Sequence, residues 1–290
     1  MTERTKLSGG LEGLAILVTG GGTGIGRACA QRLAADGAAV TICGRTEASL
    51  AAAADVIAAA AAASGHGGSV RFATGDVTDE ADVQRVVATA LEPTGALNGC
   101  IANAGGSRGL GPYHLLDTQA FIDTLHLNVL GTMLCLKHSV PHMVAAGGGS
   151  FVGMSSIAGY VTHPYFGAYT VSKAGIEQMM RNAADEYGAV GIRCNAVRPG
   201  FIATEIMEGI PVDSDVYRSY IENTPMNDVG QPDDVGSLVR FLIGDESRWI
   251  TGQSIAIDGG NGLRRGPDYG SFLEPFYGAD VMLAKKPFAP

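Results

Sequence analysis

The sequence predicts an α/β fold in which one parallel sheet is covered by helices on both faces. Two observations carry this expectation. Seven short apolar runs, at 14–18, 39–43, 70–74, 99–102, 150–154, 193–197 and 254–257, are bounded by Gly, Asn, Asp or Pro, as buried strands are. Between them lie helix-length segments that start near Gly24, Glu47, Asp79, Asp117, Ala168 and Asp233. Strands that alternate with helices pair in parallel, because each return crossing is made over a face of the sheet. No linker or shift of composition divides the chain, so residues 1–262 read as one domain. The stretch 201–227 and the tail 263–290 break the alternation.

Composition narrows the function. The 290 residues are 46% apolar and carry a net charge of −9, whereas a nucleic-acid surface needs clustered Lys and Arg. Five cysteines, at 29, 43, 100, 135 and 194, are widely spaced and form no Cys-x-x-Cys pair. That is the pattern of reduced core thiols, and a cytoplasmic setting is expected from it. No stretch approaches the ~20 apolar residues that cross a bilayer. The alanine-rich segment 51–63 is interrupted by Asp55 and reads as a soluble helix of high propensity. Neither a membrane nor a nucleic-acid partner is expected.

The first strand runs into Thr19-Gly20-Gly21-Gly22-Thr23-Gly24-Ile25-Gly26 and then into a helix. Glycines let backbone approach a pyrophosphate, and the helix start offers amide donors at the positive end of its dipole. The Gly-x-x-x-Gly-x-Gly spacing fits neither Gly-x-Gly-x-x-Gly nor a phosphate loop ending in Gly-Lys-Ser/Thr. Downstream, Tyr169 and Lys173 make the chain's one Tyr-x-x-x-Lys, thirteen residues after Ser156. Residues four apart share a helix face, so an ammonium at 173 can favour ionisation of a phenol whose ordinary pKa is ~10. Either motif alone is a weak signal; the weight lies in their company.

With these residues, and with Asp76-Val77, Asn103-Ala104-Gly105, Asn128 and Pro199-Gly200 through Thr204 in the same order, the chain resembles the classical short-chain dehydrogenases/reductases over about residues 11–262. The resemblance implies a seven-stranded Rossmann-type sheet and a homotetramer or homodimer formed through the helices near Asp117 and Ala168. It implies that Tyr169 exchanges a proton with a carbonyl or alcohol oxygen while a hydride moves at a nicotinamide. Lys173 would ease that exchange and hold the ribose, Ser156 would bond the same oxygen, and Asn128 would hold a water linking Lys173 to solvent. Gly20, Gly22, Thr23, Gly24, Ile25 and Gly26 would cradle the dinucleotide. Asp76 and Val77 would contact the adenine, Asn103, Ala104 and Gly105 would line the floor, and Pro199, Gly200, Ile202 and Thr204 would meet the carboxamide and a phosphate.

The second strand ends in Gly44-Arg45, with no acid at the turn. A carboxylate there would repel a 2′-phosphate and a cation would hold it, so NADP(H) is expected on Arg45. Thr23 departs from relatives that carry a second basic residue at that position. Two patterns point elsewhere. Gly105-Gly106-Ser107-Arg108-Gly109 satisfies Gly-x-Ser-x-Gly, but Leu110-Gly111-Pro112 is a poor start for the helix a nucleophile elbow requires. His138 and His142 have metal-ligand spacing without a His-Glu-x-x-His pattern.

The pocket is expected from 106–113, 157–166 and 201–227, where Tyr160, His163, Tyr165, Phe166, Ile206, Met207 and Ile210 make an apolar wall with a few donors. Such a wall suits a small-molecule substrate that is a hydrophobic ketone or a 3-oxoacyl thioester. An enoyl-thioester reductase, or a catalytically idle NADP sensor or scaffold, is the alternative. The tail 263–290 disperses Tyr269, Phe272, Phe276, Tyr277, Met282 and Phe288 among Gly and Pro, and is expected to pack on a subunit, either roofing a pocket or strengthening the oligomer.

Overall fold

A computed structural model describes residues 10–264 and 266–287, with the side chains of Ile206 and Glu208 excepted. Phe288 and the side chain of Ile206 therefore lie outside the described residues. The order is β1 (Ala15–Thr19), α1 (Gly24–Ala35), β2 (Ala39–Gly44), α2 (Glu47–Ser64), β3 (Ser69–Thr74), α3 (Glu80–Leu91), β4 (Gly99–Ala102), α4 (Thr118–Leu125), α5 (Gly131–Ala145) and β5 (Gly149–Met154). There follow α6 (Gly167–Tyr187), β6 (Ile192–Pro199), α7 (Asp215–Asn223), α8 (Pro232–Ile243), β7 (Ser254–Ile257), α9 (Gly270–Tyr277) and α10 (Ala279–Met282). The seven strands form one sheet in the order β3-β2-β1-β4-β5-β6-β7, and every pair is parallel. Strand order reverses between β1 and β4, the place where open α/β sheets leave a crevice for a ligand.

Both faces are buried, as the unbroken apolar runs require. Ile16 and Val18 of β1 pack into one layer with residues of α1, α2 and α8. Leu17 points the other way, into a layer with α3, α5 and α6. Burying each such side chain contributes roughly 1.5–3 kcal/mol. α2 is long and apolar enough to cross a membrane by length and composition alone. In this fold Leu50, Ala53, Ile57 and Ala61 form its buried stripe, packed in the same layer as α1 and β2.

Helix starts are set by capping. The carboxylate of Asp79 accepts from the Asp82 N–H and that of Asp117 from the Ala120 N–H, so α3 and α4 begin one residue after the aspartates; such caps contribute about 1 kcal/mol each. The helix expected from Asp117 is not continuous. It is interrupted at His126–Leu130 by a π-turn, a widening often found at functional sites, and the turn contains Asn128.

A third apolar cluster stands apart from the two sheet layers. It joins Ile157, Phe201, Val216 and Tyr220 to Tyr269 and Phe272 of the tail. The tail packs on its own chain, with His114 Nε2 2.9 Å from the Val281 carbonyl oxygen. The physical reason is local: 201–227 and the tail each present aromatic faces that the sheet layers cannot cover.

Candidate active site

The glycine loop is fastened before any ligand is considered. Thr19 Oγ1 accepts from the N–H groups of Asn103 and Ala104, both at 3.1 Å, and Asn103 Nδ2 donates to the carbonyls of Thr19 and Gly20 at 3.0 and 3.2 Å. Gly20 has φ of 64°, the left-handed region that glycine tolerates. A Cβ at Gly26 would stand 2.1 Å from the Gly20 carbonyl oxygen, so only glycine lets α1 start this close to the loop. Thr23 is extended before α1 and makes no side-chain cap, leaving the first amides of the helix for a ligand. Gly22 faces Ser49, Gly24 faces Thr204, and Ile25 is partly buried against the core. This tight cradle fits a dinucleotide pyrophosphate.

The flanking residues separate by task. Asp76 Oδ1 accepts from the N–H and hydroxyl of Thr78 at 2.9 and 2.8 Å, while Val77 packs where a Cβ on Gly131 would clash. A Cβ on Gly105 would lie 2.6 Å from Asn128 Oδ1 and 3.1 Å from Lys173 Nζ, so the floor must be bare there. Pro199 ends β6, and the Gly200 N–H donates to the Ile257 carbonyl at 3.0 Å. Ile202 is 6% exposed in the core, which leaves its backbone alone for a ligand. Arg45 is exposed just beyond the end of β2.

A cleft of about 320 Å³ opens between the loop and the segment after β6, lined by Gly24, Arg27, Thr204, Glu205, Met207 and Tyr217. Arg27 and Glu205 bridge it with an ion pair at 3.1 Å.

The Ser156, Tyr169 and Lys173 side chains meet beside the cradle, at the C-terminal end of β5 and the first turns of α6. Two adjacent serines divide their roles. Ser155 is 2% exposed, and its single O–H proton is shared between the Lys173 carbonyl and Glu177 Oε1, both at 3.0 Å. Ser156 is half-buried; its Oγ accepts from the Ala158 N–H at 3.1 Å, and the hydroxyl is close enough to the Tyr169 phenol to favour its ionised form. Lys173 Nζ donates to the Met154 carbonyl at 2.8 Å and lies 5.4 Å from the Tyr169 ring centroid.

Electrostatics at this pair are set mainly by burial. Burial pushes the phenol up to about 12 against the opposing effect of Ser156, and burial pushes Lys173 down to about 8. Desolvation wins because both groups are enclosed and the ammonium turns to a carbonyl.

Asn128 is fully buried and its side chain is spent on the protein. Its Nδ2 donates to the Gly106 carbonyl at 2.8 Å and to Ser172 Oγ at 2.9 Å, and its Oδ1 accepts from the Gly106 N–H at 2.9 Å. The side chain is thus a clamp between the 105–106 loop and α6, while its carbonyl accepts from Thr132 Oγ1 at 2.7 Å.

Of the expected wall residues, Phe166 stacks on Tyr169 with centroids 4.6 Å apart, and Tyr165, Met207 and Ile210 join the same cluster. His163 is buried, and its Nδ1 pairs with the Val161 carbonyl at 2.8 Å. Tyr160 does not join the wall. It is 68% exposed and its ring lies 4.7 Å from the Arg198 guanidinium. Sequence reasoning missed Glu177, which holds Arg198 through two 2.6 Å bonds; its signal was an acid four residues past Lys173. Both distracting motifs resolve structurally. Ser107 bonds the Gly109 carbonyl at 3.0 Å in a stretch with no following helix, and His138 lies 2.8 Å from Glu80. Among the described residues no cluster of His, Cys, Asp and Glu could hold a metal.

A glycine cradle at the reversal of strand order, with a serine, a tyrosine and a lysine beside it, defines a nicotinamide-dependent oxidoreductase. The chain belongs to the short-chain dehydrogenase/reductase family. The family model described as "Enoyl-(Acyl carrier protein) reductase" matches residues 20–261. Cis-4-hydroxycyclohexanecarboxylate dehydrogenase of Sinomonas cyclohexanicum is 37% identical over 244 residues, spanning 84% of this chain and 94% of that protein. A short-chain type dehydrogenase/reductase from Mycobacterium ulcerans superposes with a TM-score of 0.91 at 42% identity, over 94% of this chain and 98% of its own. Levodione reductase superposes with a TM-score of 0.81 at 30% identity, over 87% and 99%. The protein is accordingly an oxidoreductase of alcohol or ketone substrates that uses a nicotinamide cofactor.

Proposed function

We propose that the protein is an NADP(H)-dependent reductase or dehydrogenase interconverting a hydrophobic cyclic ketone and its secondary alcohol. The Tyr169 phenol, with Ser156 and Lys173 beside it at the foot of an aromatic wall, carries this reading. When bound, the dinucleotide supplies or accepts the hydride. Tyr169, neutral at ordinary pH, donates its proton to the carbonyl oxygen. Ser156 donates to the same oxygen as negative charge develops, the kind of stabilisation that contributes roughly 2.7–4 kcal/mol. The Lys173 ammonium supports the phenolate left behind, and Asn128 holds the bare floor at Gly105 against it. The cyclic class is supported by the stacked Phe166 and Phe201 rings and by the relatives named for cyclohexane-ring and levodione substrates.

NADP(H) is favoured by Arg45, which is exposed and makes no hydrogen bond or ion pair with the described residues. We expect Arg45→Ala to weaken NADPH binding about tenfold or more, the worth of a charge-assisted bond, with NADH binding little changed. Equal Kd values for the two cofactors in the unaltered protein would remove the preference. A homotetramer or homodimer built on α4, α5 and α6 is supported by exposed apolar side chains there, Ile122, Val144 and Val171, and light scattering tests it. Five unpaired buried cysteines support a reducing, cytoplasmic setting.

Consumption of NADPH against cyclohexanone and a 2-enoyl thioester decides the reaction. Turnover of the ketone supports this reading, and turnover of the enoyl thioester alone moves the hydride to a carbon–carbon bond, as the description of the matched family model would have it.

A further inference from the structure

The apolar wall contains one polar feature that the proton-transfer steps leave unused. Tyr220 of α7 and Tyr269, just before α9, place their hydroxyl oxygens 3.0 Å apart. The two residues are 7% and 6% exposed. Neither phenol makes another hydrogen bond with the described residues, so two O–H groups share one bond. One of the two O–H donors is therefore not spent on the protein and can serve an oxygen acceptor.

The pair is placed to meet the substrate. Phe166 stacks on Tyr169 and lies 5.4 Å from the Tyr269 ring, so one ring touches both the reacting phenol and the pair, and the pair is near enough for Tyr269 to act on the Tyr169 phenol. Phe201 stacks on Tyr220 at 3.9 Å. Tyr165, beside Phe166, has φ of 67°, a backbone conformation rare for a tyrosine and held only where its surroundings fix it. Its ring lies 3.2 Å from the place a Cβ on Gly270 would take, so the start of α9 closes on it. Burial pushes both phenols up, which keeps them neutral donors, and no Lys or Arg is among the groups acting on either. The matched family model ends at residue 261, short of Tyr269.

We propose that the Tyr220–Tyr269 hydroxyl pair binds a second, uncharged oxygen on the substrate, remote from the reacting one, and so selects cyclic hydroxyketones, diketones and diols over simple cyclic ketones. This rests on the ketone reading of the same site and assigns the tail a substrate-specifying role within its own chain. The pair donates one hydrogen bond and accepts through free lone pairs, which suits a hydroxyl or a carbonyl. A carboxylate would be buried there without a cation, which is unfavourable.

The test compares kcat/KM for 4-hydroxycyclohexanone, cyclohexanone and 4-oxocyclohexanecarboxylate in the full-length protein, Tyr269→Phe and Tyr220→Phe. In parallel, calorimetry follows binding of cyclohexane-1,4-diol and cyclohexanol to the same three proteins. The unaltered protein is expected to favour 4-hydroxycyclohexanone over cyclohexanone about tenfold, the worth of one well-made bond. Both variants should lose that preference while turning over cyclohexanone as before. A purely structural staple would instead lower the melting temperature and leave the ratio intact, which would overturn the proposal, as would a preference for the carboxylate. If no ketone is turned over, the ketone reading falls; tighter binding of the diol than of cyclohexanol, lost in both variants, would still uphold the pair, and equal binding would overturn it.

Discussion

Replacing Tyr169 by phenylalanine is expected to lower kcat/KM for ketone reduction about 10³-fold, in the middle of the range for a positioned general acid, with NADPH binding retained. The substitution keeps the ring that stacks on Phe166 and removes only the hydroxyl beside Ser156. Steady-state rates together with a cofactor titration separate the two effects; unchanged turnover would remove Tyr169 from the chemistry. A pH profile of the unaltered protein adds a second reading. Burial holds Lys173 down at about 8, so its ammonium is present below that pH and lost above it. The phenol, pushed up to about 12, stays protonated throughout. Reduction depends on the ammonium to balance the phenolate left behind, so kcat/KM should be level below pH 8 and fall above it. Lys173→Met should abolish that break.

Much of this site was legible from residue order, for a physical reason. Parallel strands buried on both faces must be continuous apolar runs, so β4 and β7 are found where the runs stand and the other strands move by one or two residues. Asp79 and Asp117 mark helix starts because their carboxylates cap amides. Gly20 is marked by its left-handed φ and Gly26 by its closeness to the Gly20 carbonyl. Tyr169 and Lys173 are marked by a helical repeat of four. What sequence did not show depends on contacts between distant segments. The Tyr220–Tyr269 bond joins residues 49 apart, and neither segment has a periodicity that names its partner. The π-turn that aims Asn128 at Gly106 has no local sequence signal. The balance between burial and charge at Tyr169 and Lys173 follows from enclosure, which no motif encodes.

Glu177→Leu is expected to lower stability by about 3–5 kcal/mol, the effect of removing one partner from a buried ion pair. Its carboxylate side chain is 5% exposed and that of Arg198 is 15% exposed. Both Arg198 bonds measure 2.6 Å, and this pairing holds the guanidinium above its ordinary value. Removal would leave the guanidinium between β6 and α6 without its paired carboxylate, with Asp258 as the carboxylate still acting on it. Denaturant unfolding would measure the loss, and a change within about 0.5 kcal/mol, typical of a surface position, would show the pair to be solvated. The double variant Glu177→Leu/Arg198→Leu should recover most of it, because two apolar groups leave no buried charge. Activity should not follow the same course. Glu177 also competes with the Lys173 carbonyl for the one Ser155 proton. Without Glu177 that proton falls to the Lys173 carbonyl alone, and the turn bearing Lys173 resets against β5. A double variant that regains stability but keeps a lowered kcat would identify the Ser155–Glu177 link as the element that positions Lys173. Equal recovery of both would confine the network to folding.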